Sequence, residues 1–560
     1  MNTPLSYANG LGEVPMLSDT IGRAFDRTVA RHPDGEAIVS VHQGIRLTWA
    51  ELAEKVDAYA AGLLALGLEP GDRVGIWSHN NVEWLVTQYA TAKAGLVLVN
   101  INPAYRRAEL EYALNKVGCR ALILMPEYAT SDYLEIINRL CPELSDCEPG
   151  RLISDGVPTL TTVIRLGETR SPGMLNFGDI PAMGSDAERE RVQSLSDELQ
   201  ADDAINIQFT SGTTGRPKGA TLSHHNILNN GYFLGRGMGY TPADRVCVPV
   251  PLYHCFGMVM GNLAGVTSGC TVVYPNLAFD PAATLAAVEQ ERCTSLYGVP
   301  TMFIAELGLE NFADYDLSSL RTGCMAGSPC PMEIMKQVVD RMHMSQVIIA
   351  YGMTETSPVS CQSGTDDPLE MRVSTVGRVG PHLEIKIVDE AGRVVPRNTP
   401  GEYCTRGYSV MLGYWDDTEK TDEAIDAARW MHTGDIAQMN EEGFVRITGR
   451  IKDMVIRGGE NLYPREIEEY LYRHPAVADA QVIGVPDERY GEELCAWIQL
   501  KSGAQASEED IRAFCKDEIA HHKIPRHIRF VSEFPMTITG KVQKYRMREV
   551  MAEELGPTRG

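Results

Sequence analysis

An alternation of strand and helix patterns near the start of the chain limits the possible folds more than any other feature. The apolar run Arg73–Trp77 is followed by a helical pattern from about Val82 to Ala94, and then by a second apolar run, Leu96–Ile101. Strand–helix–strand units of this kind build mostly parallel sheets whose faces are covered by helices. Similar alternation recurs around residues 245–350. We therefore predict an α/β fold.

The pattern changes in the C-terminal part of the chain. Pro464 opens a helical pattern, and Ser507 with Asp510 caps another helix that runs through about Ile519. Strand-like runs separate and follow these helices: Ala480–Val485, Leu494–Leu500 and Ile528–Val531. These elements predict a compact α+β domain that follows a junction at residues 449–453.

Length and charge narrow the class of protein. A chain of 560 residues exceeds one ordinary core and suggests roughly three or four domain-sized units. Lys and Arg total 51 against 75 Asp and Glu, which gives a formal net charge of −24. That excess argues against a nucleic-acid-binding surface and against a polybasic membrane anchor, although it is compatible with a small basic pocket for phosphates.

Cysteine usage and the N-terminus indicate a reducing cytoplasm. The 13 cysteines form no CxxC pair and no HExxH pattern occurs, which argues against a disulfide framework and a structural zinc site. The N-terminus lacks the basic stretch and apolar run of a signal peptide. The uncharged stretch 246–279 is interrupted by prolines and glycines, so we predict buried strands and turns there rather than a membrane span. The polar segment 168–203 is expected to be a surface connection.

A strand that runs into a loop of glycine and hydroxyl residues is the strongest functional signal. Ile205–Phe209 reads as a strand, and Thr210–Gly219 follows it directly. Glycines expose consecutive N–H groups in a tight turn, hydroxyls add donors and Lys218 adds a positive charge, so the loop suits a polyphosphate. Its spacing differs from the GxxxxGKS or GxxxxGKT of ordinary nucleoside triphosphatases. The candidate binding residues are Thr210, Ser211, Gly212, Thr213, Thr214, Gly215 and Lys218.

Four further motifs follow in order along the chain. In Tyr351–Glu355, the final carboxylate offers the oxygen ligand that Mg²⁺ prefers. In Trp430–Asp435, the final carboxylate can accept hydrogen bonds from both hydroxyls of a ribose. Gly449–Asp453, continued by Arg457–Asn461, forms the junction to the C-terminal part. Pro535–Lys541 ends in a lysine, which suits a negative charge that develops on a phosphate.

In these five motifs and their order, the chain resembles the adenylate-forming superfamily of acyl-CoA synthetases, firefly luciferases and peptide-synthetase adenylation domains. Within that group it is most similar to the medium-chain acyl-CoA synthetases. The resemblance implies a large domain, residues 1–450, that binds ATP and the acyl group through stacked, mostly parallel sheets, flanking helices and a distorted barrel. It also implies a small mobile α+β lid, residues 451–560, that carries the catalytic lysine.

The resemblance assigns nucleotide contacts to the second and third motifs. The Tyr351 ring is expected to stack on adenine, with Gly352 beside it. Thr354 is expected to contact the phosphate and Glu355 to hold Mg²⁺. Asp435 is expected to bind the ribose.

The resemblance also implies roles around the junction. Arg450 should reach the same ribose, and Lys452 should be the hinge about which the lid rotates. Gly458 and Gly459 are expected to line the pantetheine channel after that rotation. Lys541 is expected to act at the α-phosphate and the attacking carboxylate. The less specific candidates are three residues near the adenine and the acyl group: Gly327, Ser328 and His254.

The reaction that the resemblance implies is the ATP-dependent joining of a fatty acid of medium length to coenzyme A. The carboxylate first attacks the α-phosphorus of ATP with Mg²⁺ bound, which releases pyrophosphate and leaves an acyl-adenylate. The lid then rotates, and the CoA thiol displaces AMP. The expected partners are the small-molecule acid, ATP, Mg²⁺ and CoA, with no nucleic acid, no transmembrane segment and a homodimer as the expected assembly.

Three alternatives stay open from the residues alone. An adenylating enzyme could pass its acyl group to a carrier protein instead of CoA. The acid could be short, branched, aromatic or sulfur-containing, although the segments around Met325–Ala326 and Tyr351–Pro358 are small and apolar, which favours an aliphatic pocket. A non-catalytic nucleotide sensor could share the fold, but the intact Lys541 argues against it.

Overall fold

The protein is represented by a computed structural model that describes residues 4–210, 217–328, 330–457, 460–487, 489–516, 518–537 and 541–555. Its strands are β1 (Tyr7–Asn9), β2 (Glu36–Ser40), β3 (Ile45–Thr48), β4 (Arg73–Trp77), β5 (Val97–Asn100), β6 (Cys119–Leu124), β7 (Glu127–Tyr128), β8 (Ser131–Asp132), β9 (Thr162–Arg165), β10 (Leu175–Asn176), β11 (Ala204–Thr210), β12 (Lys218–Ser223), β13 (Arg245–Cys247), β14 (Thr271–Tyr274), β15 (Ser295–Gly298), β16 (Thr322–Ala326), β17 (Gln346–Gly352), β18 (Val359–Gln362), β19 (Arg378–Val379), β20 (Leu383–Val388), β21 (Gly401–Gly407), β22 (Gly413–Tyr414), β23 (Met431–Met439), β24 (Val445–Arg450), β25 (Val455–Arg457), β26 (Glu460–Leu462), β27 (Val477–Asp487), β28 (Gly491–Leu500) and β29 (His527–Phe530).

The α-helices alternate with these strands along most of the chain. They are α1 (Ile21–Arg31), α2 (Trp49–Ala65), α3 (Val82–Ala94), α4 (Arg107–Val117), α5 (Tyr133–Leu140), α6 (Asp186–Glu198), α7 (His224–Gly237), α8 (Ala264–Ser268), α9 (Pro281–Gln290), α10 (Pro300–Leu307), α11 (Met332–Arg341), α12 (Leu369–Ser374), α13 (Thr418–Ala424), α14 (Pro464–Leu471), α15 (Glu508–Cys515) and α16 (Lys544–Leu555). A π-helix covers Phe256–Leu263, and short 3₁₀ helices cover Pro142–Ser145, Phe177–Met183, Phe312–Asp314, Thr354–Thr356, Ile451–Asp453 and His521–Lys523.

Two large sheets of mostly parallel strands form the body of the protein. The first has the order β10-β9-β6-β4-β5-β11-β12-β22, and its strands are parallel from β10 to β11. The second has the order β19-β18-β17-β16-β15-β13-β14-β2-β3 and is parallel from β17 to β2. Residues of both sheets and of the helices between them belong to one apolar core, which includes Val74, Leu85 and Val272. The predicted α/β alternation is confirmed, with β4, α3 and β5 at the expected places.

A third sheet is antiparallel and has the order β1-β20-β21-β23-β24. The family resemblance implies a distorted barrel in the large domain, and this sheet is the antiparallel element of that domain. Within the described residues the two outer strands, β1 and β24, do not pair with each other. The element is therefore an open antiparallel sheet, not a closed barrel.

The C-terminal strands form a sheet of their own. Its order is β26-β25-β28-β27, with β29 parallel to β28. Helix α14 begins at Pro464 as predicted, and the two predicted strands extend to β27 and β28. Helix α15 is capped by Ser507, but it ends at Cys515, short of the predicted end, because Lys516 has an extended ψ of 135°. Two separate apolar cores pack on this sheet.

Two segments contain helices that the sequence analysis did not predict. The segment 168–203 is largely exposed, as expected of a surface connection, but it contains α6, whose N-terminus is closed by a capping box between Ser185 and Glu188. Val192 and Leu195 of this helix are buried. The uncharged stretch expected to hold only strands and turns contains continuous helix from Phe256 to Ser268. Its residues are buried on nearly all sides, so no polar face reveals the helical period.

Every cysteine lies within the described residues. All 13 cysteines are free thiols, as expected, and Cys147 alone among them is partly exposed. Among the described residues, every helix is too short or too polar to cross a membrane.

Candidate active site

Lys541 extends from the C-terminal part of the chain to the carboxyl ends of the parallel strands of the second sheet. Its Cε lies 4.0 Å from the position that a Cβ on Gly327, directly after β16, would occupy. Burial and the charge of Arg450 lower the pKa of the Lys541 ammonium, whereas Glu355 and Asp435 favour its charged form. The structure therefore brings the predicted lysine together with the predicted metal and ribose residues.

Asp435 is the centre of a hydrogen-bonded group that matches the predicted ribose site. Strand pairing places it directly opposite Arg450 on the neighbouring strand. The Arg450 Nε donates to Asp435 Oδ1 at 2.9 Å, and the Tyr351 hydroxyl donates to Oδ2 at 2.6 Å. Burial, together with the Asp435 charge, raises the pKa of Tyr351 well above its usual value. The carboxylate is 6% exposed and is held in one orientation by two donors.

Glu355 lies in a short 3₁₀ helix that follows β17 and is 5% exposed, with Thr354 buried beside it. Its Oε1 accepts a hydrogen bond of 2.8 Å from the Tyr414 hydroxyl, and the described structure gives Oε2 no hydrogen-bond donor. A buried carboxylate that is fixed through one oxygen is suited to hold Mg²⁺ through the other. The Lys218 ammonium lies 4.1 Å from the centre of the Tyr414 ring. Tyr414 thus links the phosphate-loop lysine to the predicted metal ligand.

Tyr414 is the functional candidate that the sequence reasoning missed. It belongs to β22, which pairs with β12 through Ala220 and Thr221. The segment Gly413–Trp415 is an aromatic pair after a glycine, which by itself is typical of an edge strand. No local pattern predicts that its hydroxyl reaches a carboxylate 59 positions away.

Replacing Tyr414 by Phe should raise the Mg²⁺ concentration needed for half-maximal adenylation by about 10-fold. The substitution removes one hydrogen bond to a charged group, which is worth about 1.5 kcal/mol, and keeps the ring that Lys218 contacts. The measurement is pyrophosphate exchange as a function of Mg²⁺ at fixed ATP. Tyr7→Phe is the matched control, because the Tyr7 hydroxyl also donates to a carboxylate, that of Glu384, on the third sheet. An equal shift in both variants would contradict the assignment.

The predicted phosphate loop is described at its two ends. Thr210 and Lys218 are paired across the antiparallel β11–β12 ladder, and the Thr210 hydroxyl donates to the Lys218 carbonyl at 3.5 Å. The predicted contacts Ser211, Gly212, Thr213, Thr214 and Gly215 lie outside the described residues, as do Gly458 and Gly459. The pairing therefore places both ends of the loop where β11 ends and β12 begins, on the same side of the first sheet's strand ends.

His254 is a neutral ring close to Lys541. Burial, reinforced by the Lys541 charge, lowers the pKa of His254 to about 3. Its Nδ1 accepts from the backbone N–H of Phe256 at 3.3 Å, which places the proton of the neutral ring on Nε2. His254 is therefore suited to donate a hydrogen bond to an acyl carbonyl, and it is a poor general acid or base at neutral pH.

A ladder of buried amide side chains holds the segment that carries His254. Asn206 Nδ2 donates to Asn100 Oδ1 at 3.0 Å, and Gln208 Nε2 donates to Asn206 Oδ1 at 2.9 Å. Asn100 Nδ2 in turn donates to the Tyr253 carbonyl at 3.1 Å, directly before the histidine. We call Asn100, Asn206 and Gln208 the amide ladder. It connects the strand that leads into the phosphate loop with the segment that faces Lys541.

Two of the predicted residues are glycines for different structural reasons. A Cβ on Gly352 would lie 1.7 Å from the Pro358 carbonyl oxygen, so no larger residue fits there. Gly327 has a φ of +88°, which L side chains rarely adopt, and it leaves open the space beside Lys541. Ser328 is half-buried, and its carbonyl accepts from the Cys330 thiol.

Lys452 lies at the junction, in the 3₁₀ helix Ile451–Asp453 that follows β24. Burial and the neighbouring charge of Arg450 lower the pKa of its ammonium. The next residue, Asp453, forms an ion pair of 2.6 Å with Arg548 in the last helix. The segment that follows Arg450, the arginine of the predicted ribose site, is therefore tied to the C-terminal part of the chain.

Comparison with known proteins identifies the family of the chain. A profile of the AMP-binding enzyme family covers residues 25–415, and a profile of the AMP-binding enzyme C-terminal domain covers residues 466–541. The chain belongs to the AMP-binding enzyme family. The predicted resemblance is thereby confirmed, and this AMP-binding enzyme carries the Asp435, Glu355 and Lys541 groups at one place.

Close relatives of this AMP-binding enzyme are found in animals and bacteria. It is 49% identical over 554 residues to the medium-chain acyl-CoA ligase ACSF2, mitochondrial, of Danio rerio, covering 98% of this chain and 91% of that protein. It is 48% identical over 539 residues to the putative acyl-CoA synthetase YngI of Bacillus subtilis, covering 96% and 98% of the two chains. Among solved structures, the anthranilate CoA ligase AuaEII in complex with anthranoyl-AMP superposes with a TM-score of 0.87 at 26% identity, over 97% and 99% of the two chains.

Proposed function

We propose that the protein is an ATP-dependent ligase that joins medium-chain fatty acids to coenzyme A through an acyl-adenylate. The observation that carries the proposal is the position of Lys541 among the Glu355 carboxylate, the Asp435–Arg450 pair and His254. The names of the animal relatives support the medium-chain acid and the CoA acceptor. The medium-chain acid and the CoA acceptor are therefore parts of our proposal for this chain.

In the first half-reaction, the protein positions the reactants and stabilises charge. Asp435 accepts the ribose hydroxyls while Arg450 and Tyr351 hold its carboxylate in place. Lys218 neutralises charge on the β- and γ-phosphates, and Lys541 neutralises the charge that develops between the α-phosphate and the attacking carboxylate. Magnesium held through Glu355 would neutralise further phosphate charge.

In the second half-reaction, we propose that residues 451–560 rotate as a lid about Lys452. The large domain, residues 1–450, stays in place and retains the acyl-adenylate. Rotation withdraws Lys541 and admits the thiol of CoA past Gly458 and Gly459. His254, as a neutral donor, holds the acyl carbonyl while the thiol attacks it.

A panel of carboxylic acids tests this function. Pyrophosphate exchange and CoA-dependent AMP release should both occur with straight-chain acids from two to sixteen carbons. We expect kcat/KM to rise about 4-fold for each added methylene until the pocket is full, because one buried methylene contributes about 0.8 kcal/mol, and then to fall at the longer chains. Aromatic and sulfur-containing acids serve as the comparison set. Exchange without CoA turnover would favour a carrier-protein acceptor, and the absence of exchange with every acid would refute the ligase.

We also propose a homodimer and a cytoplasmic location. The free thiols support a reducing compartment. Light scattering of the purified protein tests the dimer. Fractionation of the source cells tests the location.

A further inference from the structure

A mixed set of metal-ligating side chains lies on the third sheet, outside the groups used in the proposed reaction. Glu402, Cys404 and His432 place a carboxylate oxygen, a sulfur and a ring nitrogen within 4.8 Å of one another. The His432 Nδ1 lies 2.8 Å from Glu402 Oε2 and 3.5 Å from Cys404 Sγ. We propose that these three residues form a binding site for a zinc-class divalent cation, separate from the magnesium of the reaction.

Strand pairing assembles the three ligands from two neighbouring strands. Cys404 on β21 lies directly opposite His432 on β23. Glu402 precedes Cys404 by two positions, and the ladder shifts register between them. Side chains two apart on a strand share a face, and the bulge re-aims the carboxylate toward the imidazole. A search for CxxC or HExxH spacing cannot detect such a site, because its ligands meet across the ladder.

The second ring nitrogen of His432 faces a carboxylate, as in established metal sites. The His432 Nε2 lies 3.7 Å from Asp426 Oδ2. The other oxygen of Asp426 accepts from the backbone N–H groups of Ala428 and Trp430, each at 2.9 Å, which fixes the orientation of the carboxylate. In metal sites, a histidine that ligates through one nitrogen commonly donates its other N–H to a carboxylate. Asp426 lies on the correct side of the ring for this role, although 3.7 Å is longer than a hydrogen bond.

The ligand chemistry selects the class of cation. A thiolate with an imidazole suits zinc, whereas magnesium and calcium prefer oxygen ligands alone. Three protein ligands leave a fourth position for water. Cys404 is fully buried, while the Glu402 and His432 side chains are 21% and 31% exposed, so a cation can enter from solvent on their side. Lys386, opposite Cys404 on β20, is a nearby positive charge that opposes binding.

The proposed site is connected to the ribose residue through the backbone. The Oε1 of Glu402, the oxygen that faces away from His432, accepts from the N–H of Gly434 at 3.1 Å. Gly434 directly precedes Asp435 and has a φ of +69°. A cation that is ligated by the Glu402 carboxylate therefore changes the hydrogen bond from Gly434, and with it the turn that positions Asp435. We infer that occupancy of this site alters the KM for ATP.

The test uses the full-length protein, stripped with a chelator and then dialysed. Zn²⁺ alone is titrated by calorimetry in the presence of excess Mg²⁺ and without ATP. One equivalent should bind to the wild type, and Glu402→Gln and Cys404→Ser should each weaken this binding by more than about 100-fold, since even the loss of an outer-shell partner costs 10- to 100-fold. Co²⁺ should give a thiolate-to-cobalt absorption band that Cys404→Ser abolishes.

Cys147→Ser is the matched control, because Cys147 is a thiol outside the cluster, and this variant should bind Zn²⁺ like the wild type. If Cys404→Ser has a lowered melting temperature, the result for Glu402→Gln is the one that tests the site. The amide oxygen of the introduced glutamine can still accept from the Gly434 N–H, whereas the anionic ligand is lost. The KM for ATP should change with Zn²⁺ in the wild type and in Cys147→Ser. It should not change with Zn²⁺ in Glu402→Gln or Cys404→Ser. The absence of stoichiometric Zn²⁺ binding, or binding of equal strength in all variants, would overturn the proposal. These binding measurements are independent of the proposed ligase function.

Discussion

Replacing Lys541 by Ala should reduce the rate of adenylate formation by about 100- to 1,000-fold, the effect of removing one preorganised group that stabilises developing charge. The same variant should convert supplied acyl-AMP and CoA to thioester at a rate within a few-fold of the wild type, because in the proposed mechanism Lys541 leaves the site before the second step. Pyrophosphate exchange measures the first step, and AMP release from synthetic acyl-AMP measures the second.

Lys516→Ala is the control for Lys541→Ala, because Lys516 is an exposed lysine of the same C-terminal part of the chain. Both half-reactions should be unchanged in that variant. Equal losses in the two half-reactions of Lys541→Ala would refute the proposed rotation of the lid. A charge change at Lys452 that leaves both steps intact would separately argue against the hinge.

Replacing Asp435 by Ala should lower kcat/KM for ATP by about 100- to 1,000-fold. The substitution removes the carboxylate that would accept two ribose hydroxyls, and hydrogen bonds to a charged group are worth at least about 1.5 kcal/mol each. The half-exposed Arg450 guanidinium and the Tyr351 hydroxyl also lose their acceptor. Asp435→Asn should lose less, because its amide oxygen still accepts one of these hydrogen bonds. Steady-state kinetics with ATP and the acid varied separately is the measurement.

Asp367→Ala provides the matched control for Asp435→Ala. Asp367 also pairs with an arginine, Arg378, at 3.0 Å. Its carbonyl accepts from Arg372, which also donates to Ser345 at the amino end of β17, the end opposite the candidate site. This variant should keep the KM for ATP of the wild type. A rise in the KM for the acid alone in Asp435→Ala would contradict the ribose assignment.

Those parts of the site that lie on continuous motifs could be predicted from the sequence. Asp435 and Arg450 are separated by 15 positions, and an antiparallel pair of strands with a short turn brings them opposite each other. The helix that begins at Pro464 was predictable because proline favours the first turn and an apolar face follows. In these segments, local chemistry and the final fold agree.

Contacts between distant segments could not be predicted in the same way. The Tyr414–Glu355 hydrogen bond depends on how an edge strand of the first sheet meets a turn after the second sheet. The Glu402–Cys404–His432 cluster depends on a register shift within a ladder. The π-helix Phe256–Leu263 is buried all round, so hydrophobic periodicity carries no signal there. Each of these features is decided by packing between elements.

The amide ladder has a consequence for the position at which the predicted phosphate loop begins. Because Asn206 and Gln208 alternate with Ile205 and Ile207, sliding β11 by one position would exchange buried amides for hydrocarbon and leave polar groups unsatisfied. An apolar strand could tolerate such a slip more easily. The amide side chains thus fix the register of β11 against its neighbouring strands. They thereby fix the place at which the loop after Thr210 begins.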